Sequence, residues 1–540
     1  MNHITRSLIV GSSALALASC GADQIASPGT SGNVTINLPP APAPTPTPTP
    51  TSTLVTPAGA CPTIADPQGL TDSGTISGPT GTYRVCTLPS RVSVSTTLPK
   101  ISGLLYRLNG RVDVGCDGGF AAPTATTPYA STTVGCTAPL TADTNVTLTI
   151  APGVIVYAGA GQSWLAVNRG NKIDASGSAT QPIVFTSSDN VAGFNNDQSI
   201  GQWGGVVLLG RARVTDCRFG TVAAGTCERD TEGATERALY GGANDAYNAG
   251  TMRYVQIRYS GFVLSANNEL QALTAEGVGS GTTIEYFQSH NSSDDAAEFF
   301  GGNLNVKYYV ATGADDDSLD VDTGARLNVQ HALMVQRAGQ GDTLMEIDSN
   351  GLEGDTPRTN LKVVNFIGIQ PQTSSNNEAN GKAAVLYRGN ADVTLYNGVI
   401  VAPNNECIRM TSNASAANRA TLAARSVVLQ CAATKYIGDG SGAAPFTAAE
   451  VATAFGSGSN NNTDAFTNTL TALFVNGANE DAVVATDPTA LSSFFSATPT
   501  PYRIGVAWSG NTSWYTGWTC NSATASFGAA SSACTSLPTT

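Results

Sequence analysis

The sequence predicts an all-β fold built from stacked coils, and two observations support this prediction. The chain contains 57 glycines and only 12% charged residues. Together with many Thr, Ser and Asn and few strong helix formers, this composition favours strands and turns. From about residue 145, short segments that alternate apolar and polar residues are separated by Gly, Pro, Asn and Asp, as in VTLTIAPGVIVYAGAG. Such alternation has the period of half-buried strands.

A repeat of variable length runs through the middle of the chain. Alignment of segments such as TMRYVQI and TIEYFQS superposes seven apolar positions, which are Met252, Ile284, Val306, Val329, Val363, Val393 and Ala423. Their spacings are 32, 22, 23, 34, 30 and 30 residues, so one coil needs about 22 residues and longer coils carry loops. Period-2 alternation then predicts Tyr254, Tyr286 and Tyr308 inside the coils and Phe287 and Tyr309 on the outer face. There the last two rings could bind a sugar ring or be covered by a loop.

A resemblance to known proteins adds detail to this fold. PGV, followed by a strand and then by KIDASG and QPIVFTS, resembles the opening coils of right-handed parallel β-helix proteins. The stretch from 145 to 540, with GQWGGVVLLGRA and DDAAEFFGG, resembles a family of uncharacterised β-helix lipoproteins and secreted proteins of Gram-negative bacteria. The resemblance implies a role beside TonB-dependent outer-membrane transporters and supplies no agreed catalytic residues.

The predicted organisation has five parts. Residues 1–19 form a lipoprotein signal peptide, 20–57 a lipidated Pro/Thr-rich tether, 58–145 an N-terminal disulfide-rich β cap, 146–440 the parallel β-helix, and 441–540 a small C-terminal α/β cap. The helical pattern within the last part covers residues 446–475. The caps are expected because the open ends of a parallel column would otherwise pair with other chains.

The N-terminus predicts export and anchoring. An apolar run too short for a membrane span ends in Leu17-Ala18-Ser19-Cys20, which resembles a bacterial lipobox. The resemblance implies lipidation of Cys20 and an outer-membrane location, on the periplasmic side or at the cell surface, because Gly21 and not Asp follows the cysteine. The alternative is an ordinary signal peptide with an incidental cysteine. The roughly 20-residue Pro/Thr segment would extend ~60 Å as a polyproline-like spacer.

The other ten cysteines fit an oxidising compartment. An even number in an exported chain indicates disulfides, although sequence alone cannot choose among the connectivities. We predict sequential pairing, which gives Cys61–Cys86, Cys116–Cys136, Cys217–Cys227, Cys407–Cys431 and Cys520–Cys534. No CxxC motif or Cys/His cluster indicates zinc.

Charge is concentrated in one part of the chain. The net charge is −13, and residues 285–355 hold 14 Asp and Glu against Lys307, Arg326 and Arg337. Neither nucleic acid nor an anionic membrane surface is therefore expected as a partner, and a cationic ligand or a metal fits better.

The acidic residues of this window are predicted to stack. Superposed coils place Glu298, Asp320 and Glu346 in one outward row, with Asp322 and Asp348 beside it. Carboxylates one coil apart, about 4.8 Å, repel by ~3 to 4 kcal/mol at the effective dielectric of a protein surface. The charges would be splayed into solvent, protonated with raised pKa, or bridged by a cation.

Calcium suits such an oxygen-rich site, although the spacing is not that of an EF-hand. The predicted calcium ligands are Glu298, Asp315, Asp316, Asp317, Asp320, Asp322, Glu346 and Asp348. Asp294, Asp295, Asp316 and Asp317 also precede strands, where turn hydrogen bonding is the favoured interpretation.

Three functions remain open at this stage. The first is a non-enzymatic, lipid-anchored protein that binds a ligand or partner, such as a polysaccharide or a transporter, with Phe287, Tyr309, Asp320 and Asp322 as candidate ligand contacts. The second is a polysaccharide lyase or glycoside hydrolase on the same face, for which no motif identifies catalytic residues. The third is a structural adhesin.

Overall fold

The computed structural model describes residues 54–159, 161–232, 234, 236–265, 268–349, 353–371, 382–413, 415–441 and 443–538. The predicted signal peptide, Cys20 and most of the tether lie outside these residues. Within the described part of the chain, no helix is long and apolar enough to cross a membrane.

A first sheet of 15 strands forms one side of a stacked column. Apart from an antiparallel first pair, its strands are parallel. Along the main path they are Thr71–Gly78, Gly81–Thr87, Leu104–Leu108, Ile155–Ala158, Ile183–Ser187, Gly250–Arg258, Thr283–His290, Asn303–Thr312, Arg326–Val335, Asn360–Ile369, Asp392–Ala402 and Thr421–Cys431. A branch that joins at Gly250–Arg258 contains Thr96–Leu98, Thr147–Ile150 and Lys172–Ser176.

A second parallel sheet of 11 strands closes the coils from the other side. Its strands are Arg91–Val92, Arg111–Val114, Trp164–Val167, Val206–Leu209, Leu273–Glu276, Glu298–Phe300, Asp320–Asp322, Met345–Ile347, Ala383–Tyr387, Glu406–Thr411 and Tyr436–Asp439. Apolar side chains from both sheets fill one continuous core. The architecture is the all-β parallel β-helix that the sequence predicts.

Short elements complete the described structure. Three two-stranded pairs join Arg229–Asp230 to Leu239–Tyr240, Val263–Ser265 to Asn268–Glu269, and Cys520–Asn521 to Ser532–Ala533. The helices are Ser188–Ala192, Ala448–Phe455 and Ala478–Ala482, with a 3-10 turn at Ala416–Asn418.

A left-handed residue bends each long strand of the first sheet from Gly250 onward. These residues have φ between 51° and 63° and are Tyr254, Tyr286, Tyr308, His331, Asn365, Asn397 and Ser426. Gly250–Arg258 accordingly pairs with Lys172–Ser176 before its bend and with Ile183–Ser187 after it. Because the bend interrupts the alternation of side chains, Met252 and Val255, three residues apart, both face the core.

The bend makes the predicted orientation of two aromatic sets wrong. Tyr254, Tyr286 and Tyr308 lie outside the column, where their rings stack with centroids 4.3 Å apart. Phe287 and Tyr309 instead lie in the core, 0% and 1% exposed. The Tyr309 hydroxyl donates a hydrogen bond to the Ser318 carbonyl at 2.5 Å, so neither ring can serve as a surface for a sugar.

The predicted register holds for five of the seven aligned positions. Met252, Ile284, Val306 and Val329 pair in sequence, and Val329 pairs with Val363. The last two positions are wrong: Val363 lies opposite Leu395 and not Val393, and Val393 lies opposite Leu422 and not Ala423. Loops of different length before these strands shift the register. The alignment had assumed equal spacings of 30 residues, so it did not show this shift.

The parallel column begins before residue 146, where the sequence placed its start. Gly81–Thr87 already pairs in parallel with Leu104–Leu108, with Arg84 opposite Leu104. Only Thr71–Gly78 is antiparallel to its neighbour, and its pairing is shifted by a bulge between Asp72 and Thr75. A bulged, polar edge strand protects the end of the sheet from pairing with other chains.

The C-terminal end is covered by the helix Ala448–Phe455. A capping box formed by Thr447 and Glu450 begins this helix, and Gly456 in the left-handed conformation ends it. Val451 and Phe455 are buried against the core. Helix therefore covers only part of the pattern at 446–475, because the Gly-, Ser- and Asn-rich segment that follows has little helix propensity.

After this helix, the chain returns along the outer side of the first sheet. The Ser426 hydroxyl donates to Val484 O, Asn365 donates through its side chain to Gly505 O, and the Gln288 side chain bonds both the N–H and the carbonyl of Cys520. The closer a residue of this segment lies to the C-terminus, the earlier the coil that it contacts. This segment covers the outward-facing apolar residues of the first sheet.

The five predicted disulfides are confirmed. The bonded pairs are Cys61–Cys86, Cys116–Cys136, Cys217–Cys227, Cys407–Cys431 and Cys520–Cys534. Each closes a short segment of chain, as sequential pairing requires.

Gly398 tests the packing of the stacked coils. A Cβ atom at this position would lie 2.0 Å from the Phe366 ring in the neighbouring coil. We expect Gly398→Ala to lower the free energy of unfolding by about 1 to 3 kcal/mol, since an overpacked core must shift. Phe366→Leu in the same chain should recover part of this loss. Gly354→Ala, where no atom lies within 4 Å, is the control. Equal urea midpoints for Gly398→Ala and Gly354→Ala would contradict the packing.

Candidate metal centre on the acidic face

The second sheet carries the predicted row of carboxylates on its outer face. Glu298 pairs in register with Asp320, and Asp320 pairs with Glu346. The intervening Phe299, Val321 and Ile347 are buried in the core, so their neighbours must point outward. The structure therefore has the stack of carboxylates that the sequence predicts, in the same register.

A second outward row lies beside the first. It contains Glu276, Phe300 and Asp322 in consecutive coils, and Asp348 follows Ile347 one coil later. Glu276 is fully buried; Thr231 Oγ1 donates a hydrogen bond to one of its oxygens at 2.6 Å. The other oxygen, Oε1, has no hydrogen-bond partner among the described residues.

Aspartates at the preceding turn link one coil to the next. Asp295 Oδ1 accepts the N–H of Asp317 at 2.8 Å, and Asp317 Oδ1 accepts the N–H of Thr343 at 2.6 Å. The Thr343 hydroxyl donates to the same oxygen at 2.7 Å. Turn hydrogen bonding is thus confirmed for these two aspartates, and it fixes their carboxylates beside the outward rows.

The carboxylates of the first row and of the turn aspartates line a groove of about 390 Å³, and those of the second row lie beside it. Eleven acidic residues and one arginine contribute, which gives −10 if all are ionised. The lining consists of Glu232, Glu269, Gln271, Ser293, Asp294, Asp295, Glu298, Asp315, Asp316, Asp317, Asp320, Asp342, Glu346 and Arg388.

Four overlapping groups of three carboxylates in this groove have ligand atoms within 4.8 Å of one another. Two lie on the sheet side, Asp295/Glu298/Asp320 and Asp317/Asp320/Glu346, and two on the turn side, Asp294/Asp295/Asp316 and Asp316/Asp317/Asp342. Each side therefore has one triad and its copy one coil further along. Oxygen-only sites of this kind match the ligand preference of calcium.

At the centre of the groove, the described residues provide few compensating contacts for the carboxylates. Glu298 is 6% exposed, and no described residue forms a hydrogen bond or ion pair with its carboxylate. Asp320 Oδ1 is also buried without a hydrogen-bond partner among the described residues. Burial and the neighbouring carboxylates raise the pKa of Glu298 and of Asp320 well above their ordinary values.

Other carboxylates in the groove and beside it also have raised pKa values. Burial raises the pKa of Asp294, Asp295 and Asp317 strongly, with further contributions from adjacent acids. Burial and Asp348 raise the pKa of Asp322 to about 7. Burial raises the pKa of Glu276 to about 8. At neutral pH these groups must either retain protons or share a cation.

Arg388 forms ion pairs with the last carboxylates of the rows. Its Nη2 forms an ion pair with Glu346, and its Nε lies 2.8 Å from Asp348 Oδ2. These two acids raise the pKa of Arg388, which therefore stays protonated.

Three other basic residues are also engaged, and one of them, Arg337, pairs with Asp315, which lines the groove. Arg337 forms an ion pair with Asp315, and Arg409 forms one with Asp439 at 2.9 Å. The Lys307 ammonium lies 4.7 Å from the centroid of the Phe494 ring.

The sequence identified most of this site and missed part of it. Asp315, Asp322 and Asp348 lie at or near the groove but belong to none of the four triads among the described residues. Asp342 was missed, although it occupies the place of Asp316 one coil later. The repeat could have identified Asp342. The coil from Asp316 to Asp342 has 26 residues and not 22, however, which obscured the equivalence.

His290 lies close to the turn aspartates in sequence but takes no part in the groove. The ring is fully buried, and its Nδ1 lies 3.0 Å from Thr312 Oγ1. Burial lowers the pKa of His290 to about 3, so the imidazole is neutral at physiological pH.

These observations define a class of protein, a parallel β-helix with an acidic groove on its outer face. Residues 123–472 match the family described as Pectate-lyase like beta helix domain. The match covers more than half of the chain, so the protein belongs to this family. Comparison with curated proteins and with solved structures found no match.

The raised pKa values predict an unusual pH dependence for the protein in EDTA. In the unfolded chain these carboxyl groups have pKa values near 4. The folded state therefore keeps protons that the unfolded state has lost, and stability falls as pH rises from about 4 to about 8. Asp322, with pKa about 7, and Glu276, with pKa about 8, titrate within this window.

Urea unfolding at several pH values checks this prediction. Glu276→Gln should reduce the slope by up to about 1.4 kcal/mol per pH unit, because one titrating group is removed. Asp72→Asn, at an exposed pair with Arg84, is the control and should leave the slope unchanged. Stability that rises across this pH range would contradict the assigned pKa directions.

Proposed function

We propose that this protein is a lipid-anchored cell-envelope β-helix that binds calcium in its acidic groove and, through the same face, a ligand or partner. The family supports a carbohydrate-related or binding role in general terms. Calcium, the anchor and the partner are the further content of the proposal.

The observation that carries the proposal is the position of Glu298. Its carboxylate is nearly buried and lines the groove, and the charges that act on it most strongly are those of other acids, Asp320 first. Two carboxylates about 4.8 Å apart repel by ~3 to 4 kcal/mol at an effective dielectric of 20. A bound cation converts this repulsion into attraction. No nearby lysine or arginine among the described residues does so at Glu298.

Calcium is favoured over other divalent ions by the chemistry of the groove. The ligands are carboxylate oxygens held by irregular turns and strands, without histidine or cysteine in any of the four triads. Zinc prefers nitrogen and sulfur ligands, and magnesium demands a regular octahedron and keeps its water. Calcium tolerates irregular shells of six to eight oxygens.

The proposed location and partner are supported by the sequence. The lipobox-like Leu17-Ala18-Ser19-Cys20 supports export and attachment to the outer membrane, and the Pro/Thr-rich tether would hold the β-helix away from it. The resemblance to companions of TonB-dependent transporters supports a transporter as the partner. An acidic polysaccharide bridged by calcium is the other partner of suitable charge.

Calcium titration tests the proposal. We expect calcium at 100 times its dissociation constant to stabilise the EDTA-treated protein by ~2.7 kcal/mol at pH 7.5, because the ion binds only the folded state. Glu298→Gln and Asp320→Asn should reduce this gain strongly. Asp392→Asn, which breaks an ion pair with Arg358 away from the groove, should retain it. The measurement is a thermal melt with and without calcium. No shift at millimolar calcium in the unmodified protein would rule out the ion.

The family description favours one second candidate, an enzyme that cleaves acidic polysaccharides. A lyase on this groove lacks a suitable base among Lys307, Arg337, Arg388 and Arg409, which are paired or stacked as described above. A hydrolase would need two carboxyl groups, one protonated and one ionised, and the groove contains carboxyls with raised pKa.

Polysaccharide cleavage distinguishes this candidate. The enzyme hypothesis predicts release of oligosaccharides from polygalacturonate or alginate, lost in Asp320→Asn and Glu346→Gln while circular dichroism is unchanged. Binding of these polymers without cleavage supports the first proposal. Cleavage that survives both substitutions would place an active site elsewhere.

A further inference from the structure

We infer that the groove holds two divalent cations one coil apart, in a row along the column that is called the file below. The Arg388 guanidinium acts as the fixed third cation of this file. The inference rests on the cation binding proposed above and specifies its stoichiometry and its control. The lower site is defined as Asp295, Glu298 and Asp320, and the upper site as Asp317, Asp320 and Glu346.

The two sites are copies related by one coil. Asp295 is replaced by Asp317, to which it is joined through a backbone hydrogen bond. Glu298 is replaced by its register partner Asp320, and Asp320 by Glu346. Geometry that suits an ion in the lower site is therefore repeated in the upper site, with Asp320 as a shared ligand.

The residues at the equivalent positions of the two neighbouring coils limit the file on both sides. One coil before Glu298, the register position is occupied by Thr274. One coil after Glu346 it is occupied by Leu386, which cannot bind a cation. Two tiers of carboxylates are thus available. The turn-side triads share Asp295 and Asp317 with these tiers and add no further coil on the described chain.

Shared carboxylates make such a short file physically reasonable. Paired metal ions in proteins lie about 3.5–4 Å apart when carboxylates bridge them, and neighbouring coils are about 4.8 Å apart. Asp320 is placed between the two sites, and its buried Oδ1 has no hydrogen-bond partner among the described residues. That oxygen is available to an ion.

Arg388 occupies the position where a third ion would be. Its guanidinium lies against Glu346 and Asp348, as a cation would. Glu346 is therefore shared between Arg388 and the upper site, whereas Glu298 of the lower site has no such competitor among the described residues. The upper ion should bind more weakly than the lower ion for this reason.

Counting bound calcium on the intact folded chain tests the file. Native mass spectrometry and calorimetric titration of EDTA-treated protein should give two ions with unequal affinities. Glu298→Gln should leave one ion, in the upper site. Arg388→Gln should tighten the weaker ion about tenfold, since Glu346 is released. Arg388→Lys keeps the positive charge and should tighten it less. Arg358→Gln, outside the groove, should change neither ion.

Each outcome is decisive. One ion in the unmodified protein that disappears in Glu298→Gln would overturn the file while leaving the proposed calcium binding intact. Equal affinities that do not respond to Arg388→Gln would overturn the role of Arg388. More than two ions would contradict the two-coil limit. Absence of calcium binding in every chain, with unchanged circular dichroism, would reject the proposed function itself.

Discussion

In-register stacking of parallel coils is the constraint on which the rest of this structure depends. Once each strand lies about 4.8 Å above the one before it, every side chain is placed over an equivalent side chain. For Phe299, Val321 and Ile347 this produces a packed core. For Glu298, Asp320 and Glu346 it produces an electrostatic problem that the backbone cannot relieve. The acidic groove is a direct result of this repetition.

The protein handles the two faces of the column differently. On the first sheet, outward apolar residues and the stacked tyrosines are covered by the C-terminal segment, with Trp518 against Tyr254 and Tyr286. On the second sheet, the row of Glu298, Asp320 and Glu346 lines an open groove. Among the described residues, Arg388 forms ion pairs with Glu346 and Asp348 at one end of the rows. The outer face of the first sheet is covered, whereas that of the second sheet stays open and charged. This is the arrangement expected of a binding surface.

Much of this could be predicted from the sequence, because the repeat brings short-range patterns into stacks. The strand-rich fold follows from composition and alternation, and the carboxylate row follows from the spacing of the repeat. The sequential disulfide pairing was a choice among many connectivities that the structure confirms. The orientation of Phe287 and Tyr309 did not, since a single left-handed residue at Tyr286 or Tyr308 reverses the alternation after it. Asp342 was missed because its coil is longer than the 22-residue circuit. The pairing of Arg388 with Glu346 spans 42 residues and depends on a tertiary register that spacing alone does not give.

Long-wavelength anomalous diffraction from crystals grown in calcium tests the central claim most directly, namely that cations and not protons resolve the repulsion within the groove. The account predicts anomalous peaks among the carboxylates of Asp295, Glu298, Asp320 and Glu346, with oxygen ligands at 2.3–2.6 Å. A groove without anomalous density, with adjacent carboxyl groups at hydrogen-bonding distance from one another, would show that protons fulfil this role and would contradict the account.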